Sequence, residues 1–99
     1  MRVRGFEVVR GYEDKDIHLP VRKTKYAAAY DIEAAEDVII PPFKLGCKPT
    51  FIPTGLKAYC LEDEYYILVS RSSGPKKGLL MSNGIGIIDR DYYGNKEND

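Results

Sequence analysis

The apolar positions of this chain fall in short runs, not in a helical stripe. Residues 3–9, 38–40, 55–59, 65–69, 79–81 and 85–88 carry most of the Val, Ile, Leu and Tyr, and Gly, Pro, Asn or Asp clusters lie between most of the runs. β-Branched and aromatic side chains suit a pleated, half-buried surface, while Gly and Pro punctuate turns. Each run therefore predicts a strand. No window keeps an apolar period of 3.6 over three turns, and residues 23–29 predict at most one or two helical turns. Internal repeats, low-complexity segments and linkers are lacking. The pattern predicts an all-β fold, a barrel or jelly-roll sandwich, in place of a doubly wound parallel sheet.

One turn stands out. Leu79-Leu80-Met81-Ser82 leads into Asn83-Gly84, and Ile85-Gly86-Ile87-Ile88 follows. Asn-Gly between two apolar runs predicts a two-residue hairpin, because that turn needs positive φ at both central positions. Gly86, inside the returning run, marks a bulge or a place where another group nears the backbone.

Composition narrows the class. The chain has 99 residues, 43% hydrophobic and 30% charged, which is an ordinary globular mixture and one domain, residues 1–99. A chain of this size buries roughly 65% of its unfolded surface, so one core is predicted, with little stability in reserve. No run approaches the ~20 apolar residues of a membrane span, and Met1-Arg2-Val3-Arg4-Gly5 lacks a signal-peptide core. The reading is a soluble, cytoplasmic protein with no membrane partner. Fifteen Lys and Arg balance fifteen Asp and Glu, which argues against a nucleic-acid partner. Residues 1–25 nonetheless carry seven positive and four negative groups. A solvated face is the better reading of that start, ahead of an anion-binding surface. Cys47, Cys60 and the single His18 match no zinc spacing, so the thiols read as small apolar residues and His18 as a loop residue. The end, Lys96-Glu97-Asn98-Asp99, is polar and supplies no closing strand, so the sequence reads as cut short with sheet edges left to cover.

Three constellations carry chemistry. Asp89 and Asp91 flank Arg90; two apart on an extended strand, they share a face and attract a cation or a water to be activated. Arg71-Ser72-Ser73-Gly74-Pro75-Lys76-Lys77-Gly78 follows an apolar run and offers a guanidinium fork, hydroxyls and turn N–H groups to a phosphate. It lacks Walker A spacing. Asp31 opens an acidic cluster with Glu33, Glu36 and Asp37 that suits Mg²⁺ held through water. Each alone also reads as a solvated surface.

Together, in this order, they resemble the trimeric, all-β dUTP diphosphatase (dUTPase) family. Ala28-Ala29-Tyr30-Asp31-Ile32 is similar to its first motif, Arg71-Ser72-Ser73 with Lys77-Gly78 to its second, and Gly86-Ile87-Ile88-Asp89-Arg90-Asp91-Tyr92-Tyr93-Gly94 to its third. Ile52-Pro53-Thr54-Gly55-Leu56 is similar to the family's Val-Pro-Thr-Gly strand. The wording is most like Gram-positive bacterial and phage members. The resemblance implies a jelly-roll sandwich, incomplete at the C-terminus, and hydrolysis of dUTP to dUMP and pyrophosphate with Mg²⁺. It implies Asp89 as the base that activates water and Asp91 in support. Arg71, Ser72 and Ser73 would bind phosphates. Asn83, Gly84, Ile85 and Gly86 would receive uracil, Tyr92 would lie under the deoxyribose, and Asp31 would hold a water of Mg²⁺. A homotrimer is the family's assembly.

Departures sharpen the expectation. Ala29 stands where the family usually has Gly, and a positive φ there would cost Ala roughly 1 kcal/mol. Residues 42–50 read as a surface insertion. The family's fourth and fifth motifs are not matched, which predicts weak or no turnover by this chain alone. Two alternatives stand beside the enzyme. A non-catalytic nucleotide- or protein-binding fragment would bind without turnover. A dCTP deaminase would want a Glu after the hairpin, where this chain has Asp89-x-Asp91-Tyr92.

Overall fold

The computed structural model describes residues 2–95, and in it four of the apolar runs become strands. β1 (Gly5–Val8) pairs antiparallel with β2 (Leu56–Tyr59), placing Gly5 opposite Tyr59. β3 (Tyr65–Leu68) pairs antiparallel with β4 (Gly86–Asp89), placing Tyr65 opposite Asp89 and Leu68 opposite Gly86. These form two separate two-stranded sheets. Helix is confined to one turn, α1 (Ser73–Lys76), and a 3₁₀ turn, Arg90–Tyr92, so the fold class is all-β as the residue pattern predicts.

Three local expectations are corrected. Residues 38–40 form no strand, and Ile39 is 91% exposed. Pro41 and Pro42 follow directly and can donate nothing to a ladder. Residues 79–81 are also outside the sheets. Residues 23–29 make a turn, closed by the Ala27 N–H on the Thr24 carbonyl at 3.2 Å, and no helix. The helical turn forms instead at α1, where Gly78 supplies the stop. Its φ is +85°, the Leu79 N–H donates to the Gly74 carbonyl at 2.9 Å, and the Gly78 N–H donates to the Pro75 carbonyl at 3.0 Å. That pair of bonds is a Schellman closure, which needs a left-handed residue.

The Asn-Gly turn exists but is not the predicted hairpin. The Gly84 N–H donates to the Met81 carbonyl at 3.0 Å, so the turn centres on Ser82 and Asn83. Gly84 has φ +75°, whereas among the described non-glycine residues only Asp16 has a positive φ, 55°. A type I′ turn requires two such residues in succession. β4 takes its ladder from β3, so residues 79–82 have no strand to pair with. The same observation settles Ala29: its φ is not positive, and the predicted strain is absent.

Side chains join the sheets. Phe6 of β1 lies 5.5 Å from the Tyr66 ring of β3 and 5.7 Å from Tyr30. The Tyr66 hydroxyl donates to the Tyr59 carbonyl at 3.0 Å, and partial burial raises the Tyr66 phenol above its usual range. Arg4 donates from Nε and a terminal nitrogen to Glu64 Oε2 at 3.0 and 2.6 Å. The Glu64 carboxylate also accepts the Leu61 N–H at 2.9 Å. Arg2 donates to Glu7 and to the Tyr59 hydroxyl. Arg22 caps the carbonyls of Ala27 and Lys25 at 2.8 and 3.1 Å. Arg2, Arg4 and Arg22 thus stay exposed to solvent while engaging partners within the chain, which agrees with a solvated face.

These ions set a pH prediction. Arg4 holds the Glu64 carboxyl below its ordinary value, and the Tyr93 hydroxyl followed by Arg2 does the same for Glu7. A carboxyl depressed on folding adds stability above its unfolded value of about 4.3, lost as pH falls through the folded value. Thermal stability should therefore fall below about pH 4, and Glu64→Gln should flatten the part of that slope due to Glu64. An unchanged slope in Glu64→Gln would refute the assignment.

The predicted core does not close. No aliphatic or aromatic side chain is buried among the described residues; only Pro20 and Gly55 are. The accessible surface is 8593 Å², against about 5,700 Å² for a folded monomer of 11.2 kDa. The radius of gyration is 14.8 Å, above the ~13 Å of a compact chain this long. An open apolar cleft of about 900 Å³ runs between the sheets, lined by Phe6, Tyr30, Leu56, Tyr66, Ile88 and Tyr92 among others. The residues predicted as core are present but face this cleft or solvent. Residues 96–99, the polar end, lie outside the described residues.

Candidate functional site

The first two motifs meet. Asp31 is fixed by a bridge in which its N–H donates to the Val21 carbonyl at 3.0 Å. Its carboxylate, 24% exposed, lies 3.6 Å from Arg71 Nε. Forty residues separate the two, so the fold makes this pair. The turn that follows Arg71 uses the N–H groups of Gly74, Lys77, Gly78 and Leu79 to close itself. Those four donors are not left for a phosphate, contrary to the expected cradle of turn N–H groups. The exposed side chains of Arg71, Ser72, Ser73, Lys76 and Lys77 remain to make one.

The third motif splits at Asp89. β4 ends there, and the 3₁₀ turn starts at Arg90. The rule that residues two apart share a face holds on a strand and not across this junction. Asp89 and Asp91 still line one shallow depression, together with Glu62, Asp63, Glu64 and Tyr65. Tyr65 and Ile67 of β3 stand opposite Asp89 and Ile87 of β4 on the exposed face of the sheet. Among the described residues no hydrogen bond or ion pair joins Asp89 to Arg71, Ser72 or Asp31. Among the described residues, one chain thus forms an Asp31–Arg71 corner and an acidic corner, with no hydrogen bond or ion pair joining them.

The predicted base-binding segment is exposed at Asn83, Gly84 and Ile85 and half-buried at Gly86. Gly86 faces Leu68, whose Cβ would lie 3.3 Å from a Cβ placed there. The close approach expected at this glycine is thus a cross-strand side chain, and no bulge is involved. Tyr92, 48% exposed, lines the cleft beside Tyr30 and Thr54. Tyr93, which the motif reading left without a role, donates from its hydroxyl to Glu7 Oε1 at 2.7 Å, and 86 positions separate them. His18, read as partnerless, has Nδ1 3.1 Å from Glu33 Oε1. No local pattern signals either contact, since both partners are distant in sequence. Both cysteines are free thiols; Cys60 is half-buried as a small apolar residue would be, and Cys47 is exposed.

No group of three or more His, Cys, Asp or Glu side chains is placed to hold a metal among the described residues. Mg²⁺ needs few carboxylates and keeps several waters, so the single half-buried Asp31 suits a water-mediated contact better than direct ligation. No helix among the described residues is long and apolar enough to cross a membrane.

Residues 15–97 match the family model described as dUTPase. A deoxyuridine 5′-triphosphate nucleotidohydrolase from Lactococcus lactis subsp. lactis is 48% identical over 100 residues, covering all of this chain and 64% of the relative. A protein of that name from Neisseria meningitidis is 38% identical over 81 residues, covering 77% of this chain and 51% of the relative. Another from Variola virus is 37% identical over 76 residues, covering 77% and 48%. The chain spans about half to two thirds of the length of these relatives. No solved structure matches the fold significantly. With 83 of its 99 residues inside the family model and its motifs in the family's order, the chain belongs to the dUTPase family.

Proposed function

We propose that this chain carries the water-activating, phosphate-binding and sugar-recognising residues of a cytoplasmic dUTP diphosphatase, which converts dUTP to dUMP and pyrophosphate. The observation that carries the reading is the Asp31–Arg71 pair, which joins two of the three ordered motifs at 3.6 Å. A guanidinium beside a carboxylate suits a metal–triphosphate complex: Arg71 would meet phosphate oxygens, and Asp31 would hold Mg²⁺ through water. Mg²⁺ supplies neutralisation of the phosphate charge. Ser72 and Ser73 add hydroxyl donors.

Asp89 orients a water and takes its proton. The water oxygen bonds to the α-phosphorus as the bond to the bridging oxygen breaks, and pyrophosphate leaves with the electron pair. Asp91, in the 3₁₀ turn that follows Asp89, takes a supporting role. Asn83, Gly84, Ile85 and Gly86 present backbone groups to the uracil edge. Hydrogen bonding to a base edge discriminates far better than an apolar pocket does. Tyr92 packs under a deoxyribose and leaves no room for a 2′-hydroxyl.

The separation of Asp89 from Arg71 within one chain supports completion of each site by another copy, in a homotrimer. The open apolar cleft supports the same assembly, and it predicts slow turnover by a single copy. The test is pyrophosphate release from dUTP, UTP, dTTP and dCTP with Mg²⁺, read beside thermal protection by each nucleotide. Turnover of dUTP, or protection by dUTP alone, upholds the reading. Ammonia released from dCTP, or equal protection by all four nucleotides, overturns it.

A further inference from the structure

We infer that Tyr93, clamped to Glu7, is a positioning residue that sets the sugar selectivity of the site by holding Tyr92 in place. The inference rests on the reading of Tyr92 as the plate under the deoxyribose. Its basis is how the segment after β4 is held. The β3–β4 ladder ends at Asp89, and the 3₁₀ turn Arg90–Tyr92 lies against β2 without pairing to any strand. Tyr92 therefore sits between two anchors: the ladder on one side and Tyr93 on the other.

The Tyr93 anchor is a network of its own. Its hydroxyl donates to Glu7 Oε1 at 2.7 Å, and Arg2 holds the other carboxylate oxygen. The Tyr93 ring meets the edge of Tyr59 at 5.6 Å and 64°. Lys57 Nζ stands 5.6 Å from its centroid, and the Arg2 guanidinium stacks 4.3 Å over Tyr59. Glu7, Lys57 and Tyr59 all belong to β1 and β2. Tyr93 thus ties a turn that leaves one sheet to the face of the other. A hydrogen bond to a charged acceptor is stronger than a neutral one. Its geometry fixes the backbone of residue 93, and through one peptide bond the direction of the Tyr92 ring into the cleft. The base-binding residues 83–86 lie at the far end of β4 and do not depend on this tie.

The roles separate by measuring two selectivities on the full chain. dUMP, UMP and dTMP are titrated into wild type, Tyr93→Phe, Glu7→Gln and the double variant; monophosphates avoid turnover. Both substitutions keep side-chain volume, so the rings still pack. Tyr93→Phe should lower the preference for dUMP over UMP by roughly five- to tenfold, the scale of one charged hydrogen bond, and Glu7→Gln by less, because its amide oxygen still accepts from Tyr93 without the charge. The double variant should fall no further than Tyr93→Phe, which already removes the bond. The preference for dUMP over dTMP should stay unchanged. Intact sugar selectivity in both single variants overturns the inference. So does an equal fall in both selectivities, which a general loosening of the fold would produce. A wild type without preference for dUMP over UMP defeats the reading of Tyr92 itself, and that outcome is distinct from a failure of the clamp.

Discussion

Asp89→Asn is expected to slow dUTP hydrolysis by roughly 10²–10⁴-fold, the range of a lost general base. Binding of dUMP should survive. Asn keeps the shape of Asp and its ability to orient a water, but it takes up no proton at neutral pH. The surroundings make the two effects separable. Asp89 lines a depression with Glu62, Asp63, Glu64 and Asp91, so it adds one more negative charge near an anionic substrate. Removing that charge does not weaken attraction to phosphate. A single-turnover measurement, with enzyme in excess over dUTP, isolates the chemical step from product release. Asp91→Asn should cost much less, because Asp91 stands off the strand in the 3₁₀ turn. A rate in Asp89→Asn equal to that of wild type would move the base elsewhere, with Asp91 the next residue to test.

The sequence announced strands where alternation and pairing agree, and failed where a partner was assumed. Tyr65-Tyr66-Ile67-Leu68 and Gly86-Ile87-Ile88-Asp89 read as strands and are strands, exposed at every second residue. The Asn83-Gly84 signal identified a turn correctly. It gave the wrong strand pair because turn propensity is local and ladder choice is not: β4 joined β3, which ends at Leu68, fifteen residues before Asn83. Residues 38–40 have the composition of a strand, but paired prolines deny them a ladder. The helical turn at Ser73–Lys76 was hidden by Gly74 and Pro75, both poor helix formers. What forms it is the left-handed Gly78 beyond its end.

The site was legible as residue types in order, and less so as geometry. The motif carried Asp31, Arg71, Asp89 and Tyr92 together, and the fold pairs the first two, while no hydrogen bond or ion pair ties Asp89 to them among the described residues. That division follows from the missing core. A chain with no buried aliphatic or aromatic side chain among its described residues cannot hold two corners of a site in register by packing alone. The contacts that do cross between the sheets are polar or aromatic at the rim: Arg4–Glu64, Tyr66 on Tyr59, Tyr93 on Glu7. Such ties fix direction better than they supply stability, since exposed ion pairs contribute little. Arg4–Glu64 and Tyr93–Glu7 join residues dozens of positions apart, which is why no motif spells them.

Gly55 is buried in this open fold, and Gly55→Ala is expected to destabilise the chain by about 2–4 kcal/mol. Two costs add. Gly55 has φ +69°, a left-handed conformation that costs an L-residue roughly 1–2 kcal/mol. A Cβ would also stand 2.8 Å from Tyr12 Cδ1 and 3.1 Å from Ile17 Cδ1. Tyr12 cannot easily retreat, because the Val9 N–H donates to the Gly55 carbonyl at 2.8 Å and the Tyr12 N–H to the Val9 carbonyl at 3.0 Å. Ring and glycine are held by one chain of backbone bonds. Gly84→Ala is the control: φ is +75° there, and nothing lies within 4 Å of the added atom. It should show the conformational cost alone, about 1–2 kcal/mol. Urea midpoints of the two variants would separate packing from backbone strain. A Gly55→Ala variant no less stable than Gly84→Ala would mean that Tyr12 and Ile17 move aside freely. A Gly55→Ala variant that is clearly the weaker would make Gly55, Tyr12 and Ile17 the nearest thing this chain has to a core. Tyr12 and Gly55 both line the cleft with Tyr92, so that strain would reach the wall of the proposed site.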